Sequence, residues 1–357
     1  MSSNQEFRPN WASAPGDTIS DILRERNLTE IDFARQLGRP LEDAKNLLQG
    51  RSTITLAIAR RLERALGSSV EFWMNRDFQY RESVARLRAE HEGWLAELPV
   101  GDIIRFGWIK PVPHPADEVN ACLRFFDMPS VGAWREAYAS LQQMVAFRTS
   151  TSLDSRPGAV AAWLRQGEIE ANAMSCEPWN ADRLQESLPL IRALTREKDP
   201  QQFVPELQKI CAACGVAVAI VRAPSGCRAS GATRFLTSDK ALLMLSFRYL
   251  TDDHFWFTFF HEVGHLLLHD KRRFFLEGLN VISATEEEEA NSFSANCLVP
   301  SEFRSEMLSL PSHAREVMRF ARRVGVAPGI VVGQLQHYKR IRHNQLNRLK
   351  RRYQWES

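Results

Sequence analysis

Two histidines four residues apart, with a glutamate directly after the first, lie inside a long apolar run, "FWFTFFHEVGHLLLHD", residues 255–270. No other stretch constrains the fold as strongly. A run of this length and apolarity predicts a buried helix, from about His254 to His269. On a helix, residues four apart stand one turn above each other on the same face. His261 and His265 then offer two imidazoles to one point, and Glu262 lies about 100° around, beside that point. These are the parts of a zinc site with a carboxylate base. The ion lowers the pKa of a water to about 7, and the glutamate can take the proton.

A third ligand is needed. The spacing that would supply a further histidine fails, because Leu268 and Lys271 occupy the required glycine and histidine positions. A glutamate from a following helix is the other route, and "ATEEEEANSFSANCLVP" offers one. Within it Glu289 shares a face with Phe293 and with Asn296 or Cys297, which read as buried. Glu289 is therefore the expected ligand, with Glu286, one turn earlier, as the alternative. The remaining acids suit the start of a helix. His269 lies two turns from His261 and is expected to cap helix carbonyls; His254 is expected to be structural.

Ahead of this region stand short amphipathic helices punctuated by glycine. "TEIDFARQLG" opens on Thr29 as an N-cap and stops at Gly38; "RPLEDAKNLLQG" ends at Gly50; "TLAIARRLERALG" runs from Thr55 to Gly67. This is helix-turn-helix spacing. Between Asp17 and Glu92 there are 13 basic and 13 acidic residues, so the segment has no surplus charge for phosphate contacts. Positive charge gathers instead at Lys339–Arg352, with seven Lys/Arg and no acid. That stretch is expected to be a basic helix with Leu335, Tyr338, Leu346 and Leu349 as an apolar stripe.

The 357 residues suit two or three domains. The expected division is a disordered lead at 1–16, a helix-turn-helix domain at 17–92, a helical spacer at 93–199, a metal-binding domain at 200–312 and a basic helical segment at 313–357. No apolar run approaches a membrane span, no signal segment opens the chain, and the scattered cysteines form no disulfide framework. The cytoplasm is the expected compartment. Cys211 and Cys214, a lone C-x-x-C, read as core residues. "VAVAIVRA", "ATRFLT" and "ALLMLSF" read as strands. The last, 241–247, is either an exposed edge or, as its near-continuous apolarity also allows, a buried central strand.

"NLLQGRSTITLAIARRLERALGSSVEFWMN" resembles the XRE family of lambda-repressor-like domains, and within it HigA-type antitoxins. "LSFRYLTDDHFWFTFFHEVGHLLLHD", "EEEANSFSANCLVP" and "APGIVVGQLQH" resemble the ImmA/IrrE family of zinc metallopeptidase-like proteins. The resemblance covers about 17–92 and 145–350. It implies a mostly α, α+β fold: an N-terminal helix-turn-helix bundle and a minimal zincin, with a short antiparallel sheet, an H-E-x-x-H helix and a Glu-bearing helix. It further implies Zn²⁺ on His261, His265 and Glu289, with Glu262 as base. The implied activity is that of an endopeptidase cutting a regulatory protein in stress, prophage or toxin–antitoxin control. Family members that cut a repressor are often separate from it, whereas here both parts share a chain. The rival expectation is a non-proteolytic HigA-type regulator whose zincin domain senses or binds a partner. Expected partners are a protein substrate (a regulator or toxin, or the chain itself) and DNA, met by Arg39, Lys45, Asn46 and Arg51 and by the basic C-terminus; a homodimer is an open option.

Overall fold

The computed structural model describes residues 11–139, 141, 155–269, 275–276 and 284–354. Packing divides the chain into two units. One holds the described residues up to Ala96 together with Pro129–Ala133; the other holds Glu97–Met128 and the chain from Trp134 onward.

In the first unit, α1 (Pro15–Glu25), α2 (Glu30–Leu37), α3 (Leu41–Leu48) and α4 (Leu56–Leu66) precede the long α5 (Val70–Glu97). The caps follow the sequence. Thr29 and Asp32 form a capping box at the start of α2, and Gly38 closes it in the left-handed region at φ 64°, where a side chain would be strained. Ile19, Phe33, Ala44, Leu62 and Trp73 form the centre of the core. The short turn at Gly38–Pro40 sets α2 and α3 as a helix-turn-helix pair.

The second unit begins with helices: α6 (Val100–Arg105), α7 (Pro115–Phe126), α8 (Val131–Ala137, shared in part with the first unit), α9 (Pro157–Ala173), α10 (Ala181–Leu194) and α11 (Pro200–Ala212). Three strands follow, β1 (Val216–Ile220), β2 (Gly231–Thr237) and β3 (Lys240–Leu245). Then come α12 (Asp252–Leu268), the two-residue β4 (Phe275–Leu276), α13 (Ala284–Leu298), α14 (Ser301–Leu308), α15 (Ala314–Val324) and α16 (Pro328–His337).

The sheet order is β1-β3-β2-β4. β1 runs parallel to β3, while β2 is antiparallel to both β3 and β4. The sheet is therefore mixed rather than antiparallel. β3 lies between β1 and β2, so the edge alternative for 241–247 is overturned. The cause is visible in the side chains. Ala241, Leu243 and Leu245 enter the core under α12, whereas Met244 meets α9 at Gly167. A strand buried on both faces needs continuous apolarity. The Trp163 indole of α9 donates to Val221 O at 3.0 Å, pinning that helix to the sheet.

The basic C-terminus departs from expectation. No helix runs through 339–352: Lys339 and Leu346 take positive φ, which ends helical pairing, and only a 3-10 turn forms at Asn347–Leu349. Arg352 instead bridges Thr251, and Tyr353 is buried. The charges are used internally as well. Lys350 Nζ pairs with Asp253, and Arg351 donates to Thr195 O (3.1 Å) and Glu197 O (2.8 Å). The segment straps down the start of α12. Among the described residues no helix is long and apolar enough to cross a membrane.

Candidate metal centre

The metal motif lies in the buried middle of α12. His261, Glu262 and His265 are 3%, 0% and 1% exposed, because Trp256, Phe259, Phe260 and Val263 on the same helix fill the core around it. The two histidine Nε2 atoms face each other at 2.9 Å. Glu287 of α13 approaches both, its carboxylate oxygens 3.6 Å from His261 Nε2 and 3.8 Å from His265 Nε2. His261, His265 and Glu287 are the three groups whose ligand atoms converge among the described residues.

Glu289, the expected third ligand, stands elsewhere: its Oε2 is 3.1 Å from His269 Nε2. The alternative Glu286 is also outside the converging set. The reason is the phase of α13. Its buried face is Ala290, Ser294, Ala295 and Leu298, a stripe that continues back to Glu287. Sequence reading took the bulky Phe293 and Cys297 as the core side; both do pack against the core, half-buried, at the flank of this stripe. Small residues stand at the centre of the contact: Ser294 Oγ donates to Phe257 O at 2.8 Å, and at Gly264 an added Cβ would lie 3.2 Å from both Ala290 Cα and Phe293 Cδ1.

Hydrogen bonds around the histidines select their tautomers. The Glu289 carboxylate accepts from His269 Nε2–H at 3.1 Å. His269 Nδ1 is then a lone pair, which accepts from His265 Nδ1–H at 3.0 Å. His261 Nδ1–H donates to Asn291 Oδ1 at 3.1 Å. Both Nε2 atoms are thereby left as lone pairs aimed at the same place, which is how metal-binding imidazoles are oriented. His269 thus orients His265 instead of capping carbonyls. Burial favours the neutral imidazoles: it pushes His261 down to about 4, against the raising effect of Asn291, and His265 down to about 3 with the help of its histidine neighbours. Two lone pairs 2.9 Å apart cannot bond each other. With a carboxylate beside them they form a nitrogen–oxygen donor set that suits a divalent cation such as zinc.

Glu262 points to the sheet side. Its Oε2 accepts from Thr233 Oγ1 of β2 at 3.1 Å. Gly231 makes this approach possible: a Cβ there would run into the Glu262 carboxylate and come within 2.7 Å of Thr258 Cγ2. Sequence reading set Glu287 aside with the acids of the first helical turn and passed over Thr233, Gly231 and Asn291. Asn291 alone carried a signal, being four residues after Glu287 on one helical face.

In the first unit, Lys45 and Arg51 are exposed and Asn46 is half-buried, on α3 and the turn after it. Arg39 lies 3.5 Å from Asp43, which offsets part of its charge.

Residues 217–335 match the Peptidase_M78 family, the IrrE N-terminal-like domain. The N-terminal part is similar to the "Uncharacterized HTH-type transcriptional regulator YddM" of Escherichia coli (strain K12). The two are 36% identical over 61 residues, which is 17% of this chain and 65% of that protein. The chain thus spans just under two thirds of the relative's length. It carries an IrrE N-terminal-like domain behind a part with HTH-regulator likeness.

Proposed function

We propose that this chain, which carries an IrrE N-terminal-like domain behind its HTH-like part, is a zinc-dependent endopeptidase coupled to a DNA-binding regulator. The observation that carries the reading is the convergence of His261, His265 and Glu287 beside a buried Glu262 that is oriented by Thr233. A purely structural metal site has no use for an oriented carboxylate next to its ligands. His261, His265 and Glu287 are the proposed ligands, with Glu287 taking the role first given to Glu289. When bound, zinc acts as a Lewis acid on a peptide carbonyl and makes water acidic enough to be deprotonated near neutral pH.

The chain's own residues do the remainder. Glu262 takes the proton of the attacking water at its carboxylate and returns it to the leaving amide nitrogen. Thr233 holds that carboxylate in one orientation. Asn291 and the Glu289–His269 pair keep the imidazoles in the ligating tautomer. The buried Phe259, Phe260 and Val263 keep bulk water away, which strengthens the local field.

The proposed substrate is a regulatory protein, either a partner repressor or toxin or the chain itself. The proposed setting is stress, prophage or toxin–antitoxin control in the cytoplasm, where the free thiols of all six cysteines are at home. The first unit is proposed to deliver the domain to DNA through Lys45, Asn46 and Arg51, with Arg39 at the rim.

A second reading is favoured by the near-complete burial of His261, Glu262 and His265. A site this enclosed suits a non-proteolytic regulator that uses the zincin domain to sense a ligand or bind a partner. One comparison separates the two. Wild-type protein and Glu262→Gln are incubated with a quenched fluorescent peptide library, and zinc is measured in both. Cleavage that disappears in Glu262→Gln while zinc stays near one per chain supports the peptidase. Absence of cleavage by zinc-loaded wild-type protein supports the second reading.

A further inference from the structure

The metal-binding face of α12 continues beyond the motif. Phe257 and Thr258 stand one turn before His261, and His254 one turn before them. These residues line a cavity of about 430 Å³ formed with α13 and α16, within the size range of ligand sites. The cavity adjoins the proposed centre at three points. The Phe257 ring lies 6.4 Å from the His261 ring. Asn291, which lines the cavity, accepts from His261 Nδ1–H at 3.1 Å. The Thr258 methyl borders the same gap at Gly231 as the Glu262 carboxylate.

The walls that solvent reaches are mostly rings. Tyr249 is 49% exposed, His254 and His337 are exposed, and Phe257 and Tyr338 are half-buried. The rings of Tyr249 and His254 lie 4.4 Å apart at 30°, and those of Phe257 and His337 6.5 Å apart at 33°. Leu298 and Ile330 add apolar lining. The one carboxylate in the described lining, Asp253, pairs with the one lysine, Lys350, whose Nζ also donates to Gln336 Oε1 at 2.7 Å. A charged side chain entering here would lose its water and find neither carboxylate nor lysine left to pair with. A ring would find edge and face contacts on several sides.

We infer that this cavity is the side-chain pocket of the proposed peptidase and takes a bulky aromatic residue that flanks the scissile bond. The inference rests on the peptidase reading above and adds a substrate class to it: protein segments with Phe, Tyr or Trp at the cut. An extended peptide advances about 3.3–3.6 Å per residue. A residue beside the carbonyl that meets the motif therefore reaches rings that begin 6.4 Å from His261. A free small molecule would have no need of that adjacency. Tyr249 and His337, the rings most open to an entering side chain, are then specificity-determining residues.

Calorimetric titration of the full-length, zinc-loaded protein with a series of peptide hydroxamates tests this. The hydroxamate chelates the metal in every probe, and the side chain beside it is Phe, Trp, Leu, Ala or Lys. The Phe and Trp probes are expected to bind roughly 10- to 100-fold more tightly than the Ala probe, the weight of one large apolar side chain taken out of water. The Lys probe should bind no better than Ala. In the double variant Tyr249→Ala/His337→Ala, two exposed changes, the Phe-to-Ala ratio should fall about tenfold with zinc content at the wild-type level. A ratio that is the same in the double variant as in wild type overturns the inference, as does equal affinity for the Phe, Ala and Lys probes, or no binding of any probe. Cleavage is read separately with the peptide library. Aromatic-selective binding without cleavage rejects the peptidase and retains the ring pocket, whereas cleavage without aromatic selectivity retains the peptidase and rejects the pocket.

Discussion

The Thr233 hydroxyl donates to the Glu262 carboxylate across 3.1 Å, joining strand β2 to the helix that carries the metal motif. The sheet thereby sets the direction of the carboxylate proposed to carry the proton.

Thr233→Val removes this donor and keeps the β-branched shape. A hydrogen bond to a charged group is worth about 1.5–3 kcal/mol, so kcat on a fluorogenic peptide should fall roughly 10- to 100-fold, with KM and zinc content near wild type. Thr233→Ser should restore most of the rate. A merely structural threonine would instead change KM, metal content or folding, and serine would not rescue kcat.

Elemental analysis decides between two glutamates. Glu287→Ala should lose most of its zinc, because its carboxylate is the one that approaches both histidines. Glu289→Ala should keep a full equivalent and bind it less tightly, by roughly 10- to 100-fold, as expected when an outer partner of a metal-bound histidine is lost. Full zinc in Glu287→Ala would return the ligand role to Glu289 or Glu286.

Gly231→Ala places a methyl group against Glu262 and Thr258. Crowding of a packed core typically costs about 1–3 kcal/mol. The thermal midpoint should fall, and any Glu262-dependent cleavage should fall with it. A midpoint equal to wild type would mean that β2 and α12 can move apart freely.

Burial raises Asp252 to about 6, opposed by N–H donors from Arg351 and Asp253 and assisted by the Asp253 carboxylate. Tyr353 also faces it, and Lys350 neutralises Asp253 nearby. The folded-state pKa thus lies above the ordinary 3.8. The folded state holds the proton more tightly, so this group's penalty is absent below about pH 4, grows as pH rises to about 6, and levels off near 3 kcal/mol, an order-of-magnitude figure. Asn at this position keeps the acceptor for Arg351 N–H. Asp252→Asn should therefore gain stability over wild type as pH rises from about 4 to 7, read from denaturant midpoints. A difference that does not change with pH would show that Asp252 ionises at its ordinary value.

For the helix-turn-helix, Lys45→Ala and Arg51→Ala should each reduce the slope of log affinity against log salt by roughly one on DNA from upstream of the chain's own gene. An unchanged slope in both variants would remove α3 from any phosphate interface.

The elements that could be read from sequence were those whose signal is local. Capping at Thr29 and Thr55, the stop at Gly38 and the buried run of α12 depend on neighbours along the chain, and helix period alone put His261, Glu262 and His265 in register. The interior position of β3 was half legible: its apolarity on both faces implied two covers, but only the packing of α9 and α12 shows that both exist. Which glutamate meets the histidines was a different kind of question. It depends on the rotation of α13 against α12, set by the close fit of Ala290 and Ser294 near Gly264 and Phe257. Small residues bring backbones together yet add little to a hydrophobic pattern, so the pattern centred the buried face on Phe293, which packs at its flank, and missed the phase that carries Glu287. The basic tail was misread for a related reason. Its charges are answered by Asp253 and by the carbonyls of Thr195 and Glu197, more than ninety residues away in sequence. The sequence by itself determined the metal motif, the helix ends and the helix-turn-helix spacing, because these follow from bonds within a turn or two of chain. Only the tertiary structure decided the third carboxylate, the Thr233 anchor and the tautomer-setting partners, because each depends on how two distant elements close on one another.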